Sequence, residues 1–369
     1  MTDPAVVAND RDLSADALAG RIFEAAVAAF DLLSVVIGDR LGLYAALARG
    51  GSASPSELAA RAGIAERYAR EWLEQQAASG ILVVEDQDAA AADRRFTLPA
   101  GYAEALIDPD SPSSIAPLAR SVAACARVLP ELLDAYRTGG GVEWSDYGRE
   151  MIEAQGDMNR PWLLNSFGTT YLPAVPDVHQ RLTADPPARV ADVACGLGWA
   201  SIAIARAYPS VRVDGFDLDP LSIELARANA EAAGVGDRVT FATRDAGDPL
   251  AAGRYDLAVM IEALHDVSRP VRILEAIHSM LAPGGSAIIA DEKTQDAFTA
   301  PADLTERFFY GFSITCCLPA AMTDQPSAAT GTVMRADTLK AYAEAAGFRE
   351  TEILDDLEHD AFRFYRLTP

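Results

Sequence analysis

The chain has 369 residues, half of them apolar, and carries 31 Lys and Arg against 54 Asp and Glu, a formal net charge of −23. That length allows a large core and more than one domain, and the charge excludes long-range attraction to nucleic acid or to an anionic membrane. No stretch free of charges reaches the length of a membrane-spanning helix, and residues 1–12 are polar and acidic, unlike a secretory signal.

In chain order, residues 21–48 carry apolar side chains at helical spacing, with Ile22, Phe23, Ala26, Phe30, Leu33, Ile37, Leu41 and Leu47 on or near one face. Gly38 and Gly42 are expected to break or kink this helix. Ser54-Pro55-Ser56-Glu57 reads as a helix start: Ser54 caps, Pro55 takes the first helical position and Glu57 closes a capping box. A turn at Gly63 leads to a second helix over about 66–79, then to strand-like runs at 80–85 and 95–98 with 89–93 as an exposed tip. Helix, turn, helix and β-ribbon make a winged helix. Its charges are mixed: Glu66, Arg67, Arg70, Glu71 and Glu74 on the second helix, and Arg94 and Arg95 among Glu85, Asp86, Asp88 and Asp93 on the ribbon. A DNA reader needs a basic face, so nucleic acid is not the expected partner.

A Pro/Ser linker at 108–114 opens a mostly helical region to residue 187, interrupted by glycines 139–141. Within it Trp162, Asn165 and Tyr171 form an aromatic-polar stretch suited to a substrate. The expected domains are 1–110 (helical and winged-helix), 111–187 (helical connector and cap) and 188–369 (α/β).

The third region opens with the most informative run, Val190-Ala-Asp192-Val-Ala194-Cys-Gly196-Leu-Gly198-Trp-Ala200. Strand, tight glycine turn and helix are the entry unit of a nucleotide-binding α/β domain. Glycine permits positive φ and close approach of a ligand. A second apolar run ends at Asp217-Leu218, where a carboxylate suits a ribose diol. A third ends at Asp245-Ala246. A fourth delivers Glu262, His265 and Asp266, and a fifth, after Pro283-Gly-Gly285, ends at Asp291-Glu292. Taken alone, the glycine turn also fits a domain that binds NAD.

Together these motifs resemble the class I S-adenosylmethionine (SAM) methyltransferases, with Ala194 standing where the family's first glycine falls. The resemblance implies a Rossmann-like, seven-stranded α/β domain, closed by a terminal antiparallel hairpin at about 350–354 and 361–367 and preceded by the helical and winged-helix domain. It implies SAM as cofactor and S-adenosylhomocysteine (SAH) as product. Asp192, Ala194, Gly196, Gly198, Asp217, Leu218, Asp245, Ala246 and Glu262 inherit the cofactor-binding positions. The whole arrangement is similar to plant and bacterial small-molecule O-methyltransferases and to actinobacterial winged-helix methyltransferases. Such families use the winged-helix domain for dimerisation, which implies a homodimer.

In the plant members a His-Asp pair after the fourth strand carries the base, and His265-Asp266 fall on that motif. Val267 and Arg269 depart from it, where the plant pattern has Trp and Asp. The resemblance thus implies His265 as general base toward a hydroxyl. Asp266, Asp291 and Glu292 are carboxylates available to orient it, and the last two are also candidates to bind a polar acceptor. Phe309 and Phe312 join Trp162, Asn165 and Tyr171 as candidate substrate contacts, and the loop over 318–333 is a candidate lid. No acidic pattern points to Mg²⁺, so no metal is expected. Cys125, Cys195, Cys316 and Cys317 include no CxxC pair, and reduced thiols in a cytoplasmic protein follow. The reading is a methyltransferase of a small, largely apolar molecule, on oxygen first and on nitrogen or carbon as alternatives. A SAM-binding transcription regulator and a SAM enzyme with non-methylating chemistry remain the rivals.

Overall fold

The chain is described by a computed structural model over residues 13–248 and 252–369; the reading of residues 1–12 lies outside the described residues. Two compact units divide it, Met1–Asp108 and Pro109–Pro369.

In the first unit α1 (Ala15–Arg40) is capped by the Ser14 side chain, which accepts from the Ala17 N–H. The helix breaks at Gly42, which has φ +64° and heads α2 (Leu43–Gly50). Gly38 does not break it. A Cβ there would lie 2.5 Å from Tyr44 and 2.6 Å from Trp72, so this glycine serves close packing rather than a turn. Val35 apart, the large apolar residues along the predicted face of α1 do not face a core: Phe23 is 71% and Phe30 67% exposed, and Ile22, Leu33 and Ile37 are exposed, as is Leu41 at the C-cap. Leu47, on α2, is buried.

α3 (Pro55–Ala62) begins with the expected capping box: Glu57 N–H donates to Ser54 Oγ and Ser54 N–H to Glu57 Oε2. α4 (Glu66–Ala78), β1 (Val83–Val84), β2 (Phe96–Thr97) and α5 (Ala100–Ile107) complete the winged helix. The ribbon is shorter than its apolar runs, with two residue pairs and a bridge from Ala53 to Phe96. Its arginines are ion-paired, Arg94 with Glu74 at 2.8 Å and Arg95 with Glu57 at 2.9 Å.

The second unit opens with α6 (Ala116–Arg127), α7 (Leu129–Thr138), α8 (Gly148–Trp162) and α9 (Pro176–Thr183). α8 runs on through wide, π-helical turns over Leu163–Tyr171. Then β and α alternate: β3 (Arg189–Val193), α10 (Trp199–Ala207), β4 (Arg212–Asp217), α11 (Pro220–Ala232), β5 (Val239–Thr243), β6 (Tyr255–Ile261), α12 (Pro270–Met280) and β7 (Leu281–Glu292). An insert of α13 (Leu304–Phe312), further π turns at Ser313–Cys317 and α14 (Leu318–Ala321) precedes α15 (Ala336–Ala345), β8 (Glu350–Ile353) and β9 (Phe362–Thr368).

The sheet order is β5-β4-β3-β6-β7-β9-β8, parallel except for β9, which runs antiparallel to both neighbours. Strands of parallel sheets are buried on both faces and read as apolar runs. Accordingly Val190, Val213, Leu257 and Ile288 pack on one face, and Ala191, Val193, Ala258 and Ile289 on the other. The Pro283-Gly284-Gly285 turn lies inside β7, as a register shift between the Tyr255–Leu281 and Leu257–Ser286 pairs. Strand order reverses between β3 and β6, and the crevice beyond the carboxyl ends of strands at such a switch point is where open α/β sheets bind ligands. Among the described residues, no helix is long and apolar enough to cross a membrane.

Candidate active site

A cavity of about 700 Å³ opens at that switch point. At one end it is bordered by Asp192, Ala194, Gly196, Asp217, Leu218, Asp245 and Ala246, from the ends of β3, β4 and β5. The chain leaves β3 in left-handed backbone, with Ala194 at φ +56° and Gly196 at +49°. The family's glycine falls at position 194 because an L-residue pays about 1–2 kcal/mol for this conformation. A Cβ built at Gly196 meets no protein atom within 4 Å, so the turn presents open backbone to the cavity.

Asp192 is buried and accepts from both N–H (3.0 Å) and Oγ (2.6 Å) of Ser201 on α10. Burial still pushes its carboxyl up to about 7. Asp217 closes the turn from the next strand: Oδ2 accepts from Gly196 N–H at 2.8 Å and Oδ1 from Asp219 N–H at 2.9 Å. Burial raises its pKa too, against those two bonds. Asp245 Oδ1 accepts from Gly247 N–H. This set fits SAM: carboxylates for a ribose diol and a cationic sulfonium, and the exposed Leu218 rim for a base. Gly198 does not border the cavity. At φ +78° it lets Phe241 and Ala226 pack where a Cβ would stand 2.6 and 3.1 Å away, so its role in this structure is packing.

At the other end stand Glu262, His265, Asp266 and Glu292, from the ends of β6 and β7. Glu262 is a second non-glycine residue in left-handed backbone, at φ +50°. Its Oε2 accepts from Asn159 Nδ2 at 2.5 Å, and Asn159 Oδ1 accepts from Trp162 Nε1 at 2.9 Å, so α8 is tied to the end of β6. Burial pushes the Glu262 carboxyl up to about 7.

His265 is buried among three carboxylates. Its Nδ1 lies 2.7 Å from Asp291 Oδ1 and 2.9 Å from Glu292 Oε2, and its Nε2 lies 3.1 Å from Asp266 Oδ1. Burial alone would lower its pKa, but Asp266, Glu292 and Asp291 outweigh it and hold the imidazole protonated well above its usual range. Burial drives the Glu292 carboxyl well up, whereas Asp291 stays below the ordinary carboxylate range, its burial offset by His265 and by a bond from Glu292. Both ring nitrogens thus face carboxylates, an arrangement that favours the protonated ring.

Of the expected substrate contacts, Trp162, Phe309 and Phe312 border the cavity and Asn165 and Tyr171 do not. Asn165 Nδ2 donates to the Asp110 carbonyl. Tyr171 stacks on Phe364 at 5.0 Å and donates to the Glu358 carbonyl, so both are occupied elsewhere. The expected lid begins as helix α14, and Gly331 N–H donates to the His265 carbonyl, which fixes the loop against the site. Sequence reasoning missed Trp144, Met151 and Gln155, and His359 in the turn before β9; all border the cavity.

Residues 184–346 match the family model of a methyltransferase domain and residues 28–108 that of the Rv2258c-like winged HTH domain. Over 100 residues the chain is 38% identical to trans-aconitate 2-methyltransferase of Streptomyces avermitilis, covering 27% of this chain and 37% of that protein's length. An O-methyltransferase of Pyrenophora dematioidea is 29% identical over 184 residues, 50% of this chain and 62% of that one. The crystal structure of human N-acetylserotonin methyltransferase in complex with SAM superposes with a TM-score of 0.69 over 97% of this chain and 99% of that one, at 16% identity, a likeness of fold. The chain carries a class I methyltransferase domain of the SAM-dependent type. With its N-terminal winged helix it has the architecture of the winged-helix methyltransferases.

Proposed function

We propose that the protein transfers a methyl group from SAM to a small-molecule acceptor, with oxygen as the acceptor atom. The observation that carries this reading is the single cavity joining the glycine turn, Asp217 and Asp245 at one end to His265, Asp266 and Glu292 at the other. SAM, when bound, supplies an electrophilic methyl group. Asp217, already holding Gly196, is placed to accept from a ribose diol, and a cation bound beside Asp192 and Glu262, whose carboxyls burial raises to about 7, would favour their ionised forms. Trp162, Phe309 and Phe312 wall the acceptor and exclude water, and alignment of the reactants supplies much of the acceleration.

His265 is the proposed general base, and its surroundings set the terms. An imidazolium cannot accept a proton, so a hydroxyl acceptor is activated only as pH rises through the raised His265 pKa. Asp291 fixes the ring through Nδ1, and Asp266 Oδ1 lies 3.1 Å from Nε2 as a second charged neighbour. Calorimetry with SAH, followed by SAM-consumption assays on phenol, amine and carboxylate panels, tests the reading. A folded protein that does not bind SAH refutes it.

The partner proposed for the first unit is a second copy of this chain. The exposed apolar residues of α1 make a long face that a soluble protein covers, and the paired Arg94 and Arg95 argue against DNA as its cover. Light scattering should give a dimer at micromolar concentration. A stable monomer, or a shift of duplex DNA at physiological salt, would overturn this assignment.

A further inference from the structure

The charges around the acceptor end of the cavity limit what it accepts; this deepens the methyl-transfer reading and rests on it. Beyond the glycine turn the wall is aromatic, with Trp144, Trp162, Phe308, Phe309 and Phe312. Among them stand five carboxyl groups, those of Glu143, Glu262, Asp266, Glu292 and Asp324. The cationic groups on the wall are already paired: Arg269 lies 3.0 Å from Asp324, Arg272 3.3 Å from Asp248, and His265 is enclosed by Asp266, Asp291 and Glu292. No lysine borders the cavity among the described residues.

The second imidazole on the wall is no cation either. His359 Nδ1 accepts from the Ala361 and Phe362 N–H groups at 3.1 Å each, so its proton sits on Nε2. A second proton, at Nδ1, would face two donors, and burial lowers the pKa further. An anionic acceptor therefore meets no positive group that lacks its own carboxylate. A cation meets the Glu143 and Glu262 carboxyl groups, which stand in no ion pair among the described residues, beside aromatic faces, the combination that holds ammonium groups by charge and by the ring quadrupole.

We propose that the methyl acceptor is an aromatic molecule that carries a basic amine and no carboxylate. Glu262 and Glu292, whose carboxyls burial pushes up, deepen the preference. An ammonium group beside them favours their ionised forms, so negative charge is drawn out where the cation sits. The same wall repels a di- or tricarboxylate, which sets this cavity apart from what the name of the trans-aconitate enzyme implies for its own site.

The test uses the full chain saturated with SAH, whose neutral thioether leaves the acceptor end free of sulfonium charge. Three probes share one phenol ring and differ in charge: tyramine, 4-ethylphenol and 3-(4-hydroxyphenyl)propionate. Calorimetry at low salt should rank them in that order, with tyramine at least about tenfold tighter than the propionate and the gap narrowing as salt screens it. Asp266→Asn should narrow the ratio of tyramine to 4-ethylphenol while SAH affinity holds. Asp324→Ala should release Arg269 and bring the propionate closer to the other two. Equal affinities, or the propionate binding tightest, would overturn the proposal and leave the acidic wall to the sulfonium alone. A chain that fails to bind SAH overturns the methyl-transfer reading first, and this inference with it.

Discussion

At the β3–β5 end of the cavity, the groups facing the ligand are held by the segments that carry them. Asp217 grips Gly196 across adjacent strands, and Asp192 is locked by Ser201 nine residues on. At the β6–β7 end, the groups are held by elements remote in sequence: Glu262 by Asn159 on α8, and His265 by Asp291 on β7. The first end presents backbone and carboxylates to a ligand of fixed shape. The second is an aromatic box around a proton site, assembled from the helical connector and the insert after β7. If the proposed roles hold, binding and chemistry are separable by mutation.

The largest expected effect lies at the second end. His265→Gln should lower turnover by about 10²–10⁴-fold while SAH affinity stays within error. The wild-type pH profile should rise through an apparent pKa above the roughly 6–7 of an ordinary imidazole, because the three carboxylates favour the protonated ring, and the variant should lose that limb. A profile rising within the ordinary range would mean that the cluster opens when ligands bind.

At the first end Asp217→Ala should reverse the pattern, weakening SAH with little effect on turnover at saturation. Each lost charge-assisted bond is worth about 1.5–3 kcal/mol. Unchanged affinity by calorimetry, in a folded variant, would remove Asp217 from the cofactor site. Gly198→Ala probes the support beneath that end. Its Cβ would collide with Phe241 in left-handed backbone, so a loss of about 1–3 kcal/mol in urea unfolding is expected. An unaltered unfolding midpoint would show that Phe241 yields.

The smallest effect concerns Asp192. Its folded pKa is raised to about 7 from 3.8, so the fold prefers the neutral acid. The stability this group contributes is full below the unfolded pKa and is lost as pH climbs through about 7. Asp192→Asn does not titrate, so its urea midpoint should fall less than the wild type's between pH 5 and 8. Parallel midpoints in the two proteins would refute the shift.

This contrast also explains what the sequence made legible. The capping box at Ser54–Glu57, the strand ending in Asp217 and the glycine turn are local, and each satisfies its hydrogen bonds within a few residues or across one strand pair. The seven-stranded sheet follows from apolar runs alternating with helices. Asn165 and Tyr171 misled because their partners, Asp110 and Phe364, lie 55 and 193 residues away in the chain. His359 was passed over because it precedes its strand instead of following one, yet antiparallel β9 brings that start to the same sheet edge: Phe362 pairs with Glu292. Gly38 looked like a break because a sequence does not show that Tyr44 and Trp72 will press against it.

The pairing of β9 with β7 has a consequence for where the chain tolerates insertion. The insert between β7 and α15, and the turn between β8 and β9, both emerge at the acceptor edge, while the segments that hold Asp217 and Gly196 belong to the opposite half of the sheet. Lengthening either segment leaves every strand pair in register. Doubling a loop costs only about 0.6 kcal/mol in closure entropy, so either segment can be lengthened at small cost while the half of the sheet that holds Asp217 and Gly196 is left as it is. Chimaeras cut at residues 293 and 335 are the natural graft points for redirecting the enzyme to new acceptors.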